Sequence, residues 1–124
     1  MELNQVTLPV TDVKRSVAFY ERLGFTQIVG SSHYARFECR PGGPTFSLQA
    51  VDSVHEESGV IVYFECEDLD GRCAELRELG VELESAPHDT SWLWREAYLR
   101  DPDNNRICLY HAGENRLNPP WRIV

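Results

Sequence analysis

The chain has 124 residues, of which 42% are hydrophobic and 26% charged, so it is long enough for one globular domain and too apolar for disorder. The net charge is −8, of which −7 falls in residues 57–124, and because such an acidic surface repels phosphate groups we expect no nucleic acid partner. The longest apolar run, Val60 to Phe64, is far shorter than the roughly 20 residues of a membrane-spanning helix, so we expect no membrane partner either.

The N-terminus and the cysteines bear on the cellular compartment. Residues 1–4 lack the basic and then apolar segments of a signal peptide. The four cysteines form no closely spaced pair, which disfavours a disulfide framework and a structural zinc site. The sequence therefore predicts a cytoplasmic protein with free thiols.

The predicted elements begin with an alternating strand and a capped helix. Polar and apolar residues alternate over residues 5–10, after which Asp12 provides a helix N-cap and Gly24 closes the helix. The apolar residues of this helix are Val13, Val17, Phe19, Tyr20 and Leu23, largely on one stripe. Turn residues at 30–32 and 41–44 then divide the following sequence into three short strands.

The same pattern returns 56 residues later without a gap. The corresponding residues are Asp12, Val13, Leu23, Gly24 and Phe25 in the first copy and Asp68, Leu69, Leu79, Gly80 and Val81 in the second. The apolar stripe of the second helix consists of Leu69, Cys73, Leu76 and Leu79. Each copy predicts a βαβββ module of the α+β class. We expect one domain over residues 1–124, with modules at about 1–56 and 57–112 and a C-terminal tail at 113–124.

Aromatic residues concentrate in the segment 91–99. If this segment is a strand, one face carries Trp92, Trp94, Glu96 and Tyr98, and the other carries Leu93, Arg95, Ala97 and Leu99. The aliphatic residues suit the core, which leaves the indoles, the carboxylate and the phenol for another surface. Indole rings stack on planar groups and attract cations, but they are equally suited to a dimer contact, so both interpretations stay open.

Two motifs carry a resemblance to a known superfamily. Residues 8–12 with 16–25 are similar to the opening strand and helix of the vicinal oxygen chelate superfamily, which includes glyoxalases, bleomycin resistance proteins and extradiol dioxygenases. Residues 97–107 are similar to its closing hairpin, with Asn104 where the family usually has Gly; Asn tolerates the left-handed conformation that this turn requires. The resemblance implies two βαβββ modules that form a curved mixed eight-stranded sheet around a cup, with the helices on the convex side.

Enzymes of this superfamily hold a divalent ion in the cup, and the resemblance indicates which residues occupy the ligand positions. They are Gln5, Ser47, Ile61 and Cys108. An amide, a hydroxyl, a hydrocarbon and a thiol form a poor ligand set for a hard divalent cation, so we expect no metal and no other cofactor. The histidines do not fall on family positions, and we expect surface or hydrogen-bonding roles for His33, His55, His88 and His111.

Without an ion, the inward positions still predict a pocket for a small organic molecule, and aromatic and cationic compounds are the candidates. The predicted ligand-binding residues are Gln5, Thr7, Ser47, Gln49, Ile61, Tyr63, Trp92, Trp94, Glu96, Tyr98, Cys108 and Tyr110. The resemblance also implies a homodimer, since family dimers often build each cup from two subunits.

Three functions remain open at this point. The first is a metal-free protein that sequesters a small organic ligand or confers resistance to it. The second is a lyase, isomerase or dioxygenase with an unusual metal site or with acid–base groups alone, for which Glu65 and Glu96 are the available carboxylates and Tyr63 or Tyr98 the proton donors. The third is an assembly protein without a small ligand.

Overall fold

The computed structural model describes residues 1–54 and 58–123, which form two compact units. The first unit contains Met1–Gly59 and Asp101–Asn105, and the second contains Val60–Arg100 and Arg106–Val124. The module boundary expected at residues 56 and 57 lies outside the described residues. Both units have the element order strand, helix and three strands, so the predicted pair of βαβββ modules and the α+β class are confirmed.

The first unit contains a four-stranded mixed sheet and one helix. Its elements are β1 (Gln5–Val10), α1 (Val13–Arg22), β2 (Thr26–Gly30), β3 (Tyr34–Glu38) and β4 (Thr45–Ala50). The strand order is β1-β4-β3-β2, with β1 parallel to β4 and the other pairs antiparallel. The helix crossover between β1 and β2 therefore leaves β1 and β2 at opposite edges of the sheet.

The second unit repeats this arrangement. Its elements are β5 (Ile61–Glu65), α2 (Leu69–Glu78), β6 (His88–Asp89), β7 (Arg95–Arg100) and β8 (Arg106–His111), followed by a 3₁₀ helix (Gly113–Arg116). The strand order is β5-β8-β7-β6, with β5 parallel to β8. The eight predicted strands are thus present, four in each hydrogen-bonded sheet.

The two helices begin and end with the same hydrogen bonds. The carboxylate of Asp12 accepts a hydrogen bond from the backbone N–H of Arg15 (3.1 Å), and that of Asp68 accepts one from Gly71 (3.0 Å). At the other end Gly24 and Gly80 have φ of 102° and 83°, the left-handed conformation in which Gly closes helices. Each helix has ten residues, and within the described ranges no helix is long and apolar enough to cross a membrane.

The core of the first unit is aromatic. Tyr20 on α1 lies 5.1 Å from the ring of Phe46 and 6.0 Å from that of Phe37, and these two strand residues stack on each other at 5.1 Å. The predicted helix stripe is buried at Val13, Phe19, Tyr20 and Leu23, whereas Val17 is half-buried. The amphipathic pattern therefore located the core face of α1 correctly.

The core of the second unit is aliphatic, with one difference from prediction. Leu69, Cys73 and Leu76 on α2 are buried as expected, but Leu79 is 56% exposed. Leu79 and its counterpart Leu23 are both C-cap residues, one position past the end of their helices, but Leu23 is buried. The two cap residues therefore differ in burial although the repeat places them at equivalent positions.

The turn at Asp101–Asn105 is held by buried acidic side chains. Asp101 accepts hydrogen bonds from the Tyr20 hydroxyl (2.7 Å), from the Asn105 side chain (2.8 Å), and from the N–H groups of Asp103 (2.9 Å) and Asn105 (2.8 Å). Asn104 has φ of 68°, which confirms the left-handed conformation expected at this position. Residues far apart in the sequence therefore fix the turn against α1.

Strand β2 forms an exposed edge with an irregular register. The pairing of β2 with β3 shifts between Gln27 and Val29, so that Ile28 bulges out of the ladder. The side-chain amide of Gln27 donates to the backbone carbonyl of Val29 (3.1 Å). The ladder at this edge of the sheet is therefore irregular, and the carbonyl of Val29 accepts a hydrogen bond from a side chain of the same strand.

Candidate functional site

Three of the four predicted site residues of the first unit lie on a polar face, which is defined as Gln5, Thr7, Tyr34, Arg36 and Ser47. Ser47 on β4 is fully buried, and its hydroxyl lies 2.7 Å from the Gln5 amide nitrogen and 2.8 Å from the Thr7 hydroxyl. Gln49 does not take part in these bonds; its amide donates to the carbonyl of His33 (3.3 Å). The polar face thus presents hydroxyl and amide groups that are already hydrogen-bonded to one another.

Tyr34 and Arg36 on β3 belong to this face although they were not predicted from the sequence. Arg36 is opposite Ser47 in the register, and its Nε donates to the Tyr34 hydroxyl (2.9 Å). Hydrogen bonding with Ser47, together with Arg36, lowers the pKa of Tyr34 despite its partial burial. The available sequence signal was the alternation along β3, in which Ala35 and Phe37 suit the core and Tyr34, Arg36 and Glu38 share the other face of the strand.

The predicted residues of the second unit form an aromatic face, defined as Tyr63, Trp94, Tyr98 and Tyr110. Trp94 stacks on Tyr110 with ring centres 4.7 Å apart and planes inclined by 23°. Tyr63 meets both rings edge-on, at 6.0 Å and 5.6 Å, and is 42% exposed. Ile61, Trp94 and Tyr98 pack around the buried residues Cys108 and Tyr110. The face therefore offers a layered aromatic surface with accessible rings.

Glu96 is the buried carboxylate beside this face. It is 2% exposed and lies opposite Tyr110 in the pairing of β7 with β8. Its two oxygens accept hydrogen bonds from the indole N–H of Trp92 (3.0 Å) and the hydroxyl of Tyr98 (3.2 Å). Burial, and to a smaller extent hydrogen bonding with Tyr63, raises the pKa of Tyr98 far above its usual value. The hydroxyl of Tyr98 therefore stays protonated and donates its hydrogen bond to Glu96.

The segment around Trp92 differs from the predicted continuous strand. Strand β7 begins only at Arg95, and residues 90–94 form a turn in which Leu93 has φ of 66°. The expectation that Leu93 joins the core is wrong, because this side chain is 48% exposed, whereas Ala97 and Leu99 are fully buried as expected. The turn nevertheless directs Trp92 toward Glu96.

The residues at the family metal positions do not suit a divalent cation. In the first unit, Gln5 and Ser47 are bound to each other. In the second unit, Ile61 has no donor atom, and burial raises the pKa of the Cys108 thiol to about 12, so that it stays protonated at neutral pH. Within residues 1–54 and 58–123, no group of three or more His, Cys, Asp or Glu side chains is placed to hold a metal ion.

The histidines lie away from both faces or outside the described residues. His88 and His111 are exposed, and each places Nδ1 2.9 Å from a backbone carbonyl, that of Ala86 and that of Cys66 respectively. His33 is exposed in the turn before β3. His55 lies outside the described residues. The described histidines therefore agree with the surface and hydrogen-bonding roles that were expected.

A cavity in the first unit has a different lining from the predicted site. It has a volume of about 940 Å³ and lies between the N-terminal turn of α1, the loop after β2 and the end of β4. Its charged groups are Asp12, Lys14 and Asp52, and the ring of His33 also lines it. None of the twelve predicted ligand-binding residues lines it, so sequence reasoning gave no indication of this cavity.

Comparison with known proteins connects this geometry to a family. Residues 2–109 match the family model of the "Glyoxalase/Bleomycin resistance protein/Dioxygenase superfamily". The uncharacterized protein YraH of Bacillus subtilis (strain 168) is 32% identical, over 89% of this chain and 98% of its own length.

Solved structures show the same fold. A bleomycin-binding protein complexed with bleomycin has a TM-score of 0.75 and 23% identity, with 90% of this chain and 98% of that chain covered. Lactoylglutathione lyase from Agrobacterium tumefaciens has a TM-score of 0.73 and 16% identity, with 89% and 92% covered. The family model spans most of both modules, and on that match the chain belongs to the glyoxalase/bleomycin resistance protein/dioxygenase superfamily.

Proposed function

We propose that the protein binds a small organic molecule with a planar ring on the aromatic face, without a metal ion, and acts by sequestering that molecule. The observation that carries this proposal is the stack of Trp94 on Tyr110 beside the exposed ring of Tyr63. A flat ligand gains both apolar burial and stacking on such a surface. Glu96 and Tyr98 add polar groups next to the rings, which fix the orientation of a bound molecule.

Resistance to an antibiotic is the form of sequestration that a relative suggests. One structure with this fold is that of a bleomycin-binding protein complexed with bleomycin. The acidic net charge of −8 and the exposed aromatic rings suit a cationic compound with planar groups. Bleomycin is therefore a rational first compound to test.

A metal-dependent lyase, isomerase or dioxygenase is the alternative function. A hydrocarbon and a protonated thiol at two of the four family positions weigh against it. Acid–base chemistry without a metal would instead depend on Glu96 and Tyr98, since the carboxylate of Glu65 is held by two backbone N–H groups, those of Ala112 (2.8 Å) and Gly113 (3.0 Å).

The proposal is tested by isothermal titration calorimetry with two probes, bleomycin and 1-naphthylmethanol. We expect the naphthyl probe to bind, and Trp94→Ala to weaken its binding about tenfold because a stacking surface is lost. Trp94→Phe, which keeps a ring, should lose less. Leu3→Ala, at a position that is 92% exposed and outside both faces, is the control and should leave the affinity unchanged. Absence of binding for both probes would overturn the proposal.

We also propose that the protein is a homodimer. Exposed apolar side chains support a self-contact: Ile28 and Val29 on β2 are 47% and 41% exposed, and Leu117 and Trp121 in the tail are 60% and 55% exposed. Sedimentation equilibrium should give twice the mass of the chain. A mass equal to one chain at high micromolar concentration would overturn this part of the proposal.

A further inference from the structure

Among residues 1–54 and 58–123, the hydrogen bonds to the buried carboxylate of Glu96 come from neutral groups. Its donors are the indole of Trp92 and the hydroxyl of Tyr98, and the residue is 2% exposed. Burial of a carboxylate is costly unless a cation or several hydrogen bonds compensate for it. Across residues 1–54 and 58–123, the salt bridges are formed by other carboxylates, and none involves Glu96.

The neighbouring acidic residues of the second unit are compensated. Glu65 accepts hydrogen bonds from two backbone N–H groups and has Arg116 at 3.9 Å. Arg95 pairs with Asp70 at 2.9 Å and with Asp89 at 3.0 Å. The guanidinium groups of Arg100 and Arg106 pair with Glu84, at 2.9 Å and 3.8 Å. Glu96 is therefore set apart from these carboxylates by the neutrality of its partners.

Trp92 donates a hydrogen bond to Glu96 from a position in which its indole has room to move. The indole is 47% exposed and is carried by the turn at 90–94, outside strand β7. The next residue, Leu93, is also about half exposed and has φ of 66°, a conformation in which a residue other than Gly is strained. Rotation of the Trp92 indole away from Glu96 would thus break one hydrogen bond. The neighbouring residue Leu93 does not anchor the turn in the core, so the turn can adjust to this rotation.

The aromatic face begins next to this carboxylate. Glu96 is opposite Tyr110 across the β7–β8 ladder, and side chains at opposite positions of antiparallel strands are about 5 Å apart at Cβ. Tyr110 is the ring on which Trp94 stacks. A ring bound on the aromatic face would therefore carry a short substituent to within reach of the Glu96 oxygens.

We infer that Glu96 recognises an ammonium group on the ligand and that Trp92 is a gate over this carboxylate. The inference rests on the proposed binding function and specifies its ligand class, an aromatic amine-bearing cation. The N–H of the ammonium group replaces the indole N–H at Oε2 of Glu96. A neutral hydrogen bond is exchanged for a charge-assisted one, which is the stronger of the two.

A pair of probes with the same ring separates this inference from the function on which it rests. In calorimetric titrations of the wild-type chain, 1-naphthylmethylammonium should bind about tenfold more tightly than 1-naphthylmethanol. In Glu96→Gln this preference should disappear while the alcohol still binds. Glu78→Gln makes the same change of net charge at an exposed position of α2 and should keep the preference.

The gate is tested by a second variant. Trp92→Phe removes the competing N–H but keeps an aromatic side chain, so its affinity for the ammonium probe should rise severalfold and its affinity for the alcohol should change less. Equal binding of the two probes to the wild type would overturn the inference and leave the proposed function standing. Unchanged ammonium affinity in Trp92→Phe would overturn the gate. Absence of binding for both probes would overturn the inference together with the proposed function.

Discussion

Asp101 shows how a single buried carboxylate organises a loop. The pKa of its carboxyl group is raised, because burial outweighs the hydrogen bonds from Asn105, from Tyr20 and from the backbone, which act in the opposite direction. Four donors nevertheless converge on its two oxygens and hold the turn in one conformation. The acidic turn at residues 101–105, which is part of the family resemblance, is therefore stabilised by the hydrogen bonds to Asp101.

We expect Asp101→Asn to lower the free energy of unfolding by about 3 kcal/mol, because the amide has only one acceptor oxygen and places an NH₂ group against the existing donors. Urea unfolding followed by circular dichroism measures this. Asp52→Asn, at an exposed position, is the control and should change the value by less than about 0.5 kcal/mol. Equal stabilities of the two variants would contradict the role assigned to Asp101.

Glu65 predicts a pH dependence of stability. Burial opposes its ionisation, but hydrogen bonds from Ala112 and Gly113 outweigh that effect, and the pKa of Glu65 is lowered. A carboxyl group with a lowered pKa in the folded state stabilises the protein above its unfolded-state pKa, and this contribution is lost as the pH falls through the folded value. Wild-type stability should therefore decrease between neutral pH and about pH 3, and the decrease should be smaller in Glu65→Gln. Identical pH profiles in urea unfolding would refute the assignment.

At the scale of elements, the repeat extends to the hydrogen bonds that close the helices. Phe25 N–H donates to the carbonyl of Tyr20 (3.2 Å) after α1, and Val81 N–H donates to that of Leu76 (2.9 Å) after α2. These are the bonds of the Schellman motif, and they occur at positions 56 residues apart. Capping residues act locally, which is why the helix boundaries were predictable from the sequence.

We expect Asp68→Ala to cost about 1 kcal/mol of unfolding free energy, since it removes the N-cap of α2. Asp68→Ser is the matched variant, because a serine hydroxyl accepts the same hydrogen bond, and it should restore most of the loss. Thermal unfolding of the three proteins gives the comparison. If the alanine and serine variants melt at the same temperature, the hydrogen bond to Gly71 contributes nothing measurable.

Other elements were harder to predict because tertiary contacts decide them. Alternation alone favoured a strand through residues 91–99, but the hydroxyl of Thr90 bonds the carbonyl of Trp94 (2.9 Å) and closes a turn there. The half-buried position of Arg36 on the polar face likewise depends on the pairing of β3 with β4, which no local signal specifies. Periodicity thus identified which residues share a face of a strand. It failed to predict where β7 begins, because the side chain of Thr90 closes a turn before that strand.

For the molecule as a whole, the sequence predicted the fold and the family, and it listed the residues of the two faces except Tyr34 and Arg36. The internal repeat and the turn motif were sufficient for the fold, because each involves many positions at once. The contribution of the twelve listed residues to ligand binding stays a prediction, since the chemistry of a bound molecule is not encoded in any single motif. The hydrogen bond between Trp92 and Glu96 could not be predicted from the sequence, because it depends on the conformation of the turn at residues 90–94.

The whole protein should be indifferent to divalent metals. We expect protein purified without chelators to contain no stoichiometric Zn, Mn, Fe or Ni, because the family positions hold an amide, a hydroxyl, a hydrocarbon and a protonated thiol. Elemental analysis by mass spectrometry measures this, and the melting temperature should not change on addition of Mn²⁺ or EDTA. One tightly held ion per chain would contradict the expectation and would favour a catalytic function.

The irregular edge strand has a consequence for behaviour at high concentration. A flat, regular edge strand exposes a row of unpaired N–H and C=O groups. A strand of another chain can pair with these groups, and repeated pairing leads to open-ended polymers. In β2 the bulge at Ile28 and the amide of Gln27 on its own strand break that template. The β2 edge of the first sheet is therefore protected from repeated strand addition, even though its side chains Ile28 and Val29 are exposed.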